Sequence, residues 1–324
     1  MPIMFIACLN SYVDFVLDAA HLVRDSIAVR LSSCGLSDEA LEQVLAFTLG
    51  IRDNHSEIAS LYRQAGVSHV LALSGLHLGI FCTLFLPAIY MVRQVWGPMW
   101  QRMLAVSAVL FLTWFYVLIA GAPMSMVRAA TMFSIALVSA LSYWRWNMLQ
   151  VWLVSVMLIL IVSPRSLMDI GFQLSSVAVM GIATFGVRGN NGGGNVCWQW
   201  LRIGFWCQVF TMPLVAHYFG TFVPHAFLTS LFVTTYTTAV IYMCFLLLLS
   251  LFIFPSAVSF FLAQSINGLL WIQTGFLRVM TNLCPPFSGI AFSWWCVALY
   301  YICLALLFFV TNETRGQGET DGVG

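Results

Sequence analysis

The sequence predicts an all-α membrane protein, a polytopic helix bundle of about nine spans, some of them re-entrant or broken. Three observations carry that prediction. Hydrophobic residues make up 61% of the 324 positions and charged residues 8%, whereas a soluble domain needs roughly a quarter of its residues charged. Beyond residue 67 the apolar stretches recur at lengths near the about 20 helical residues that cross a bilayer core. Aromatic residues reach 15% of the chain, as lipid-facing helices and interfacial belts require.

Taken in order, residues 1–67 differ from the rest, with four arginines and eight carboxylates. Helical periodicity runs through 13–31 and 36–49, and Ser37 before Asp38 and Glu39 reads as an N-cap with acids that complement the helix dipole. This segment is expected to be interfacial or extramembrane. Residues 1–9 are apolar but short, and Asp14 and Asp18 interrupt their continuation, so no secretory signal is read there.

Residues 68–311 form the expected transmembrane domain, with spans at 68–92, 103–122, 124–143, 147–163, 167–187, 198–222, 226–254, 257–282 and 287–311. Arg188 to Asn195 is a glycine-rich polar linker, and 312–324 is a polar, disordered tail.

The distribution of charge is more informative than its total. All 13 basic residues are arginine, and 11 of the 12 carboxylates lie before residue 58 or after residue 312. Between those limits stand nine arginines and one acid, Asp169, a net charge of 9 − 1 = +8. Such a field favours a polyanion over a cation, although arginines also mark helix ends. The loop arginines put the 93–102 loop, the 188–202 loop and the C-terminus in the cytoplasm.

The absence of lysine excludes a Walker A loop and Schiff-base catalysis. Any uphill transport must therefore draw its energy from a partner or an ion gradient. The nine cysteines form no C-x-x-C pair and sit mostly in apolar runs, so neither a metal site nor a disulfide framework nor any cofactor is expected.

Three clusters break the apolar pattern. Gly66 to Gly79 holds His69, Ser74, Gly75 and His77, where small residues allow close backbone approach and a helix break lining a cavity. Ser74 and His77 can share a helical face, either as a proteolytic dyad or as interhelical hydrogen-bonding groups. Gly121 to Met132 sets Pro123 at a helix start and Arg128 about one turn inside. An arginine there must snorkel, pair or face water. In Ser163 to Ser176, helical spacing puts Asp169, Gln173 and Ser176 on one face. Asp169 is either the partner of Arg128 or a first-turn acid.

These clusters resemble the competence domain of the ComEC-type DNA-uptake channel family. The resemblance runs through G-x-S-H-x-L-A-x-S-G-L-H (66–77), A-P-x-S-x-x-R-A-A-x-M (122–132) and D-x-G-F-Q-L-S-S (169–176), with Leu49-Gly50-Ile51-Arg52-Asp53 upstream, and continues loosely to about residue 255. It implies a multi-pass channel in the inner membrane that imports single-stranded DNA during natural transformation, without being an enzyme. His69, Ser74, Gly75, His77, Arg128, Asp169, Gln173 and Ser176 would line the DNA path. The implied partners are single-stranded DNA, the lipid bilayer, an external DNA receptor and a separate cytoplasmic ATPase, with room for a homo-oligomer.

The sequence also departs from the family pattern. No H-x-H-x-D-H cluster of the family's nuclease-like domain occurs, residues 1–67 are too short and helical for its outer β-domain, and 231–238 lacks the A-N-x-x-x-x-P stretch. The expectation is a minimal channel, a split-gene product or a remnant. Two alternatives stand beside it, a transporter of a small anionic solute and an intramembrane serine protease built on Ser74 and His77.

Overall fold

The structure is a computed structural model that describes residues 18–84, 99–141, 146–186, 196–219, 221–223, 225–283, 285, 287–288 and 293–306. The fold is all-α. Its helices are α1 (18–32), α2 (Asp38–Leu49), α3 (Glu57–Gln64), the single turn α4 (Ser68–Leu71), α5 (Gly75–Thr83), α6 (Met99–Ile119), α7 (Met124–Leu141) and α8 (Met148–Val162). A 3-10 turn, Pro164–Met168, leads into α9 (Ile170–Gly181), which runs on as a π-turn, Ile182–Gly186. Then come α10 (Val196–Phe219), α11 (Ala226–Ile253), α12 (Ser256–Leu283) and α13 (Trp294–Leu306). Among the described residues, β structure is confined to a two-residue antiparallel pair of β1 (Thr221–Phe222) and β2 (Phe287–Ser288).

Local signals set the helix starts. Ser37 caps α2, accepting from the Ala40 amide at 3.3 Å, with Asp38 and Glu39 in the first turn as expected. Ser56 caps α3 in the same way, and its hydroxyl also donates to Glu42, which ties α3 to α2. Asn147 and Gln150 form a reciprocal capping box on α8.

Among the described residues, two helices are long and apolar enough to cross a membrane, Met99–Ile119 and Leu228–Ile253. Met124–Ser139, Met148–Val162, Ile170–Phe185 and Trp294–Leu306 are apolar but shorter. The expected continuous span at 68–92 is broken. Helix α4 ends after one turn, Ala72 and Ser74 are extended, and α5 begins afresh at Gly75. The remainder of that stretch, the linker 188–195 and the tail 312–324 lie outside the described residues, as do Arg93, Arg145, Arg188 and Arg315 on which the topology rests.

The N-terminal helices share one hydrophobic core with the apolar ones. Phe47 of α2 and Tyr62 of α3 are fully buried in a cluster with Leu78 of α5, Val240 and Ile241 of α11, and Ile266 and Leu270 of α12. Within it lies a polar knot. The Tyr62 hydroxyl donates to Gln43 Oε1 at 2.8 Å and accepts from Gln273 Nε2 at 2.8 Å, while Gln273 also donates to Thr237 Oγ1 at 2.9 Å. All four side chains belong to residues with no exposed surface. Burial pushes the Tyr62 hydroxyl pKa well above its usual range, so Tyr62 stays a neutral donor. At the rim, Arg278 of α12 meets Glu39 at 3.2 Å and Glu57 at 3.8 Å. Exposed pairs of this kind contribute little. The knot contributes specificity, because each member leaves a buried polar group behind if its partner is removed.

Candidate functional site

The motif residues gather where α5 meets the start of α7. Gly50 ends α2 in the left-handed region (φ 70°), and a Cβ there would stand 2.8 Å from Leu73 Cδ1 and 3.0 Å from the Ala120 carbonyl oxygen. Only glycine lets the end of α2 close on both the 72–74 break and the α6–α7 turn. Arg52 and Asp53, just beyond it, are exposed and line a surface hollow with Asp38 and Glu42.

The break at 72–74 exists because Ser74 caps α5. Its Oγ accepts from the Leu76 amide at 3.2 Å, and its own amide donates to His77 Nδ1 at 3.3 Å. His77 thus plays the part that Glu or Gln usually plays in a capping box. Ser74 Oγ also lies 3.0 Å from His77 Nδ1, the contact that a proteolytic dyad would need. The same two side chains also form the helix cap. His77 is 1% exposed and packs against the Phe47 ring, and its Nε2 has no hydrogen-bond partner. His69 does not join this group. It is exposed on α4, with Nε2 3.3 Å from Ser230 Oγ of α11.

Helix α7 is fixed against this turn by three features. Ser125 Oγ donates to the Leu73 carbonyl at 2.7 Å. Gly75 approaches so closely that a Cβ would lie 3.2 Å from Ala129 Cβ. The turn from α6 passes through two left-handed residues, Gly121 (φ 81°) and Ala122 (φ 49°), before Pro123. Alanine in that conformation is strained by roughly 1–2 kcal/mol, so the backbone beside the A-P-x-S motif is held there by its surroundings.

Arg128 follows one turn later and is 4% exposed. Its Nε and Nη1 have no hydrogen-bond partner, and no ion pair among the described residues includes it. Two of its three guanidinium nitrogens thus lie within the protein. Pairing with Asp169 is overturned. Asp169 is exposed and serves as the N-cap of α9, accepting from the Phe172 amide at 2.8 Å. One turn on, Gln173 donates to the Leu167 carbonyl at 2.8 Å and accepts from Tyr218 of α10 at 2.7 Å. Ser176 is half-buried, with its hydroxyl unpartnered. Helix α9 packs on α7, so these residues flank the arginine's helix without neutralising it.

The structure thus joins Ser74, Gly75, His77 and Arg128 along the α5–α7 contact, sets Asp169, Gln173 and Ser176 on α9, and leaves His69 outward. Sequence reasoning missed Gln43, Tyr62, Thr237 and Gln273. The available signal was a set of amides, Gln264, Asn267 and Gln273, on an otherwise apolar helix. It also missed the group of His217, Tyr218 and Trp294, for which no spacing signal exists.

Apolar helices, two of them of membrane-spanning length and composition, packed around a hydrophobic core, with a buried arginine that has no ion pair among the described residues, define the class: an all-helical protein with membrane-type helices. The chain belongs to the competence protein family, whose model matches residues 48–314 and so contains all three motif clusters. The match extends past residue 255 and begins inside the N-terminal segment. Over 133 residues the chain is 33% identical to ComE operon protein 3 of Bacillus subtilis (strain 168). That stretch is 41% of this chain and 16% of the relative, so the chain spans only a small part of that protein's length. No solved structure matches it significantly.

Proposed function

We propose that the chain builds a multi-pass passage in the inner membrane through which single-stranded DNA enters the cytoplasm during competence, and that it performs no catalytic step itself. Membership of the competence family supports the DNA-uptake part of this reading. The observation that carries the rest is Arg128, which is almost fully buried with two guanidinium nitrogens unpartnered and Asp169 committed elsewhere. A buried cation without a counter-charge is expensive unless an anion visits it. A phosphodiester strand supplies such anions one after another, and a water-poor site strengthens each contact. The shorter apolar helices would act as tilted or broken spans, with the 72–74 break lining the passage. An external receptor, a cytoplasmic ATPase and further copies of the chain belong to the same proposal.

Arg128 equally favours a carrier of a small anionic solute, so the test must separate the two. Cells carrying Arg128→Ala at normal protein level are given labelled duplex DNA, and surface-bound and internalised label are measured. Binding with loss of internalised DNA supports the passage. Normal internalisation, or uptake of a small anion by proteoliposomes with no DNA phenotype, overturns it. The Ser74–His77 contact supplies the protease reading with its one observation. A serine-directed probe that labels Ser74 would revive that reading.

A further inference from the structure

Beyond Arg128, one aromatic group joins exposed ring surface to a residue of the family motif. Helices α10 and α13 are far apart in sequence, yet the β1–β2 pair, Thr221 with Ser288 and Phe222 with Phe287, ties the end of α10 to the segment that leads into α13. This juxtaposition sets Trp294, the first residue of α13, against the last turn of α10. The ring of His217 lies 4.0 Å from that of Trp294, and Tyr218 meets Trp294 edge-on at 5.7 Å and 86°. His217 and Tyr218 are themselves edge-to-face at 5.1 Å and 75°.

The three rings are held in place. The Tyr218 hydroxyl donates to Gln173 Oε1 at 2.7 Å, and the Gln173 amide is anchored in turn on the Leu167 carbonyl at 2.8 Å. Trp294 nevertheless remains 54% exposed, and Trp295 beside it is 85% exposed. In a simple interfacial belt, tyrosine and tryptophan turn their polar tips to water and headgroups. Here the Tyr218 tip is committed to an amide of the family motif D-x-G-F-Q-L-S-S, and Trp294 beside it keeps about half of its surface free. Rings fixed in advance lose little freedom when a planar ligand stacks on them.

We infer that His217, Tyr218 and Trp294 form a stacking platform for the bases of single-stranded nucleic acid, with Gln173 as the residue that positions Tyr218. The inference rests on the DNA-passage reading and adds to it a binding site that requires no particular sequence, because every base offers a π-face. It also gives Gln173 a role distinct from contact with phosphate.

The test uses the full chain, purified in bilayer discs, and an oligothymidine carrying a single 5-iodouracil, which cross-links on irradiation to an aromatic side chain stacked on it. The adduct is mapped by mass spectrometry, and affinity is measured in parallel. The expected adduct falls on His217, Tyr218 or Trp294. Trp294→Ala should lose it and bind on the order of tenfold more weakly, whereas Trp294→Phe keeps most of both. Gln173→Leu, which releases Tyr218, should lower adduct yield and leave insertion into the discs unchanged. An adduct elsewhere, with wild-type affinity in Trp294→Ala, overturns the platform and leaves the DNA passage standing. Failure of the wild-type chain to bind any oligonucleotide overturns both. Normal cross-linking of a Trp294→Ala chain that inserts poorly assigns the ring to lipid anchoring and overturns the platform alone.

Discussion

Replacing Arg128 by methionine should separate stability from function. Methionine has similar length and no charge, so it fills much of the same space without the guanidinium. In the native chain, Nε and Nη1 are buried without partners, and the residue is 4% exposed. Each unsatisfied buried polar group is unfavourable by about 1–3 kcal/mol, more when charged. Replacement of buried ions by well-packed apolar side chains has raised stability by about 1–4 kcal/mol where measured. Arg128→Met should therefore be more stable by roughly that amount, a factor of about five to several hundred in the unfolding equilibrium. At the same time it should lose DNA internalisation. The assay is a thermal or denaturant midpoint in one detergent, paired with an uptake measurement at matched protein level. A variant clearly less stable than wild type would refute the reasoning, because Arg128 would then be held by interactions that its environment does not display. A more stable variant with normal uptake would refute the functional half.

Three further outcomes follow from the site. Ser74→Ala removes the α5 cap and should lower stability by about 1 kcal/mol, with Ser74→Asp restoring most of it in the same melting experiment; no recovery by aspartate would contradict the capping role. Asp169→Asn should melt like wild type, because asparagine caps equally well, whereas Asp169→Ala loses about 1 kcal/mol; equal loss in both would point to the charge. Tyr62→Phe strands the Gln43 carbonyl and a Gln273 N–H in the core and should cost about 1–3 kcal/mol in denaturant unfolding, with a smaller loss arguing that the knot relaxes.

Much of the helix order was legible because local chemistry decides it. The Ser37 cap, the Pro123 restart of α7 and the long apolar stretches can be read from a few adjacent residues. The 72–74 break was foreshadowed by the glycines around Ser74, but not the reason for it, which is a serine cap closed by a histidine three residues on. Periodicity put Asp169, Gln173 and Ser176 on one helical face, and Arg128 was placed about one turn inside its helix. It could not say that the acid would turn back to cap its own helix and leave the arginine alone. Partners remote in sequence were out of reach for the same reason. Tyr62 and Gln273 are 211 positions apart, and the polar residues of α12 make sense only once α2 and α3 lie against it. Length alone could not show that the stretch 68–92 is divided, because an apolar stretch that passes a length threshold can still be interrupted by a serine cap.

The central claim is that DNA crosses the membrane through this chain. The most direct measurement follows end-labelled duplex DNA in a deletion strain and in the same strain carrying the gene in trans. The account predicts that the deletion binds DNA at its surface normally, delivers no labelled strand to the cytoplasm, and regains delivery with the wild-type gene but not with Arg128→Met. Cytoplasmic label at wild-type level in the deletion strain would contradict it.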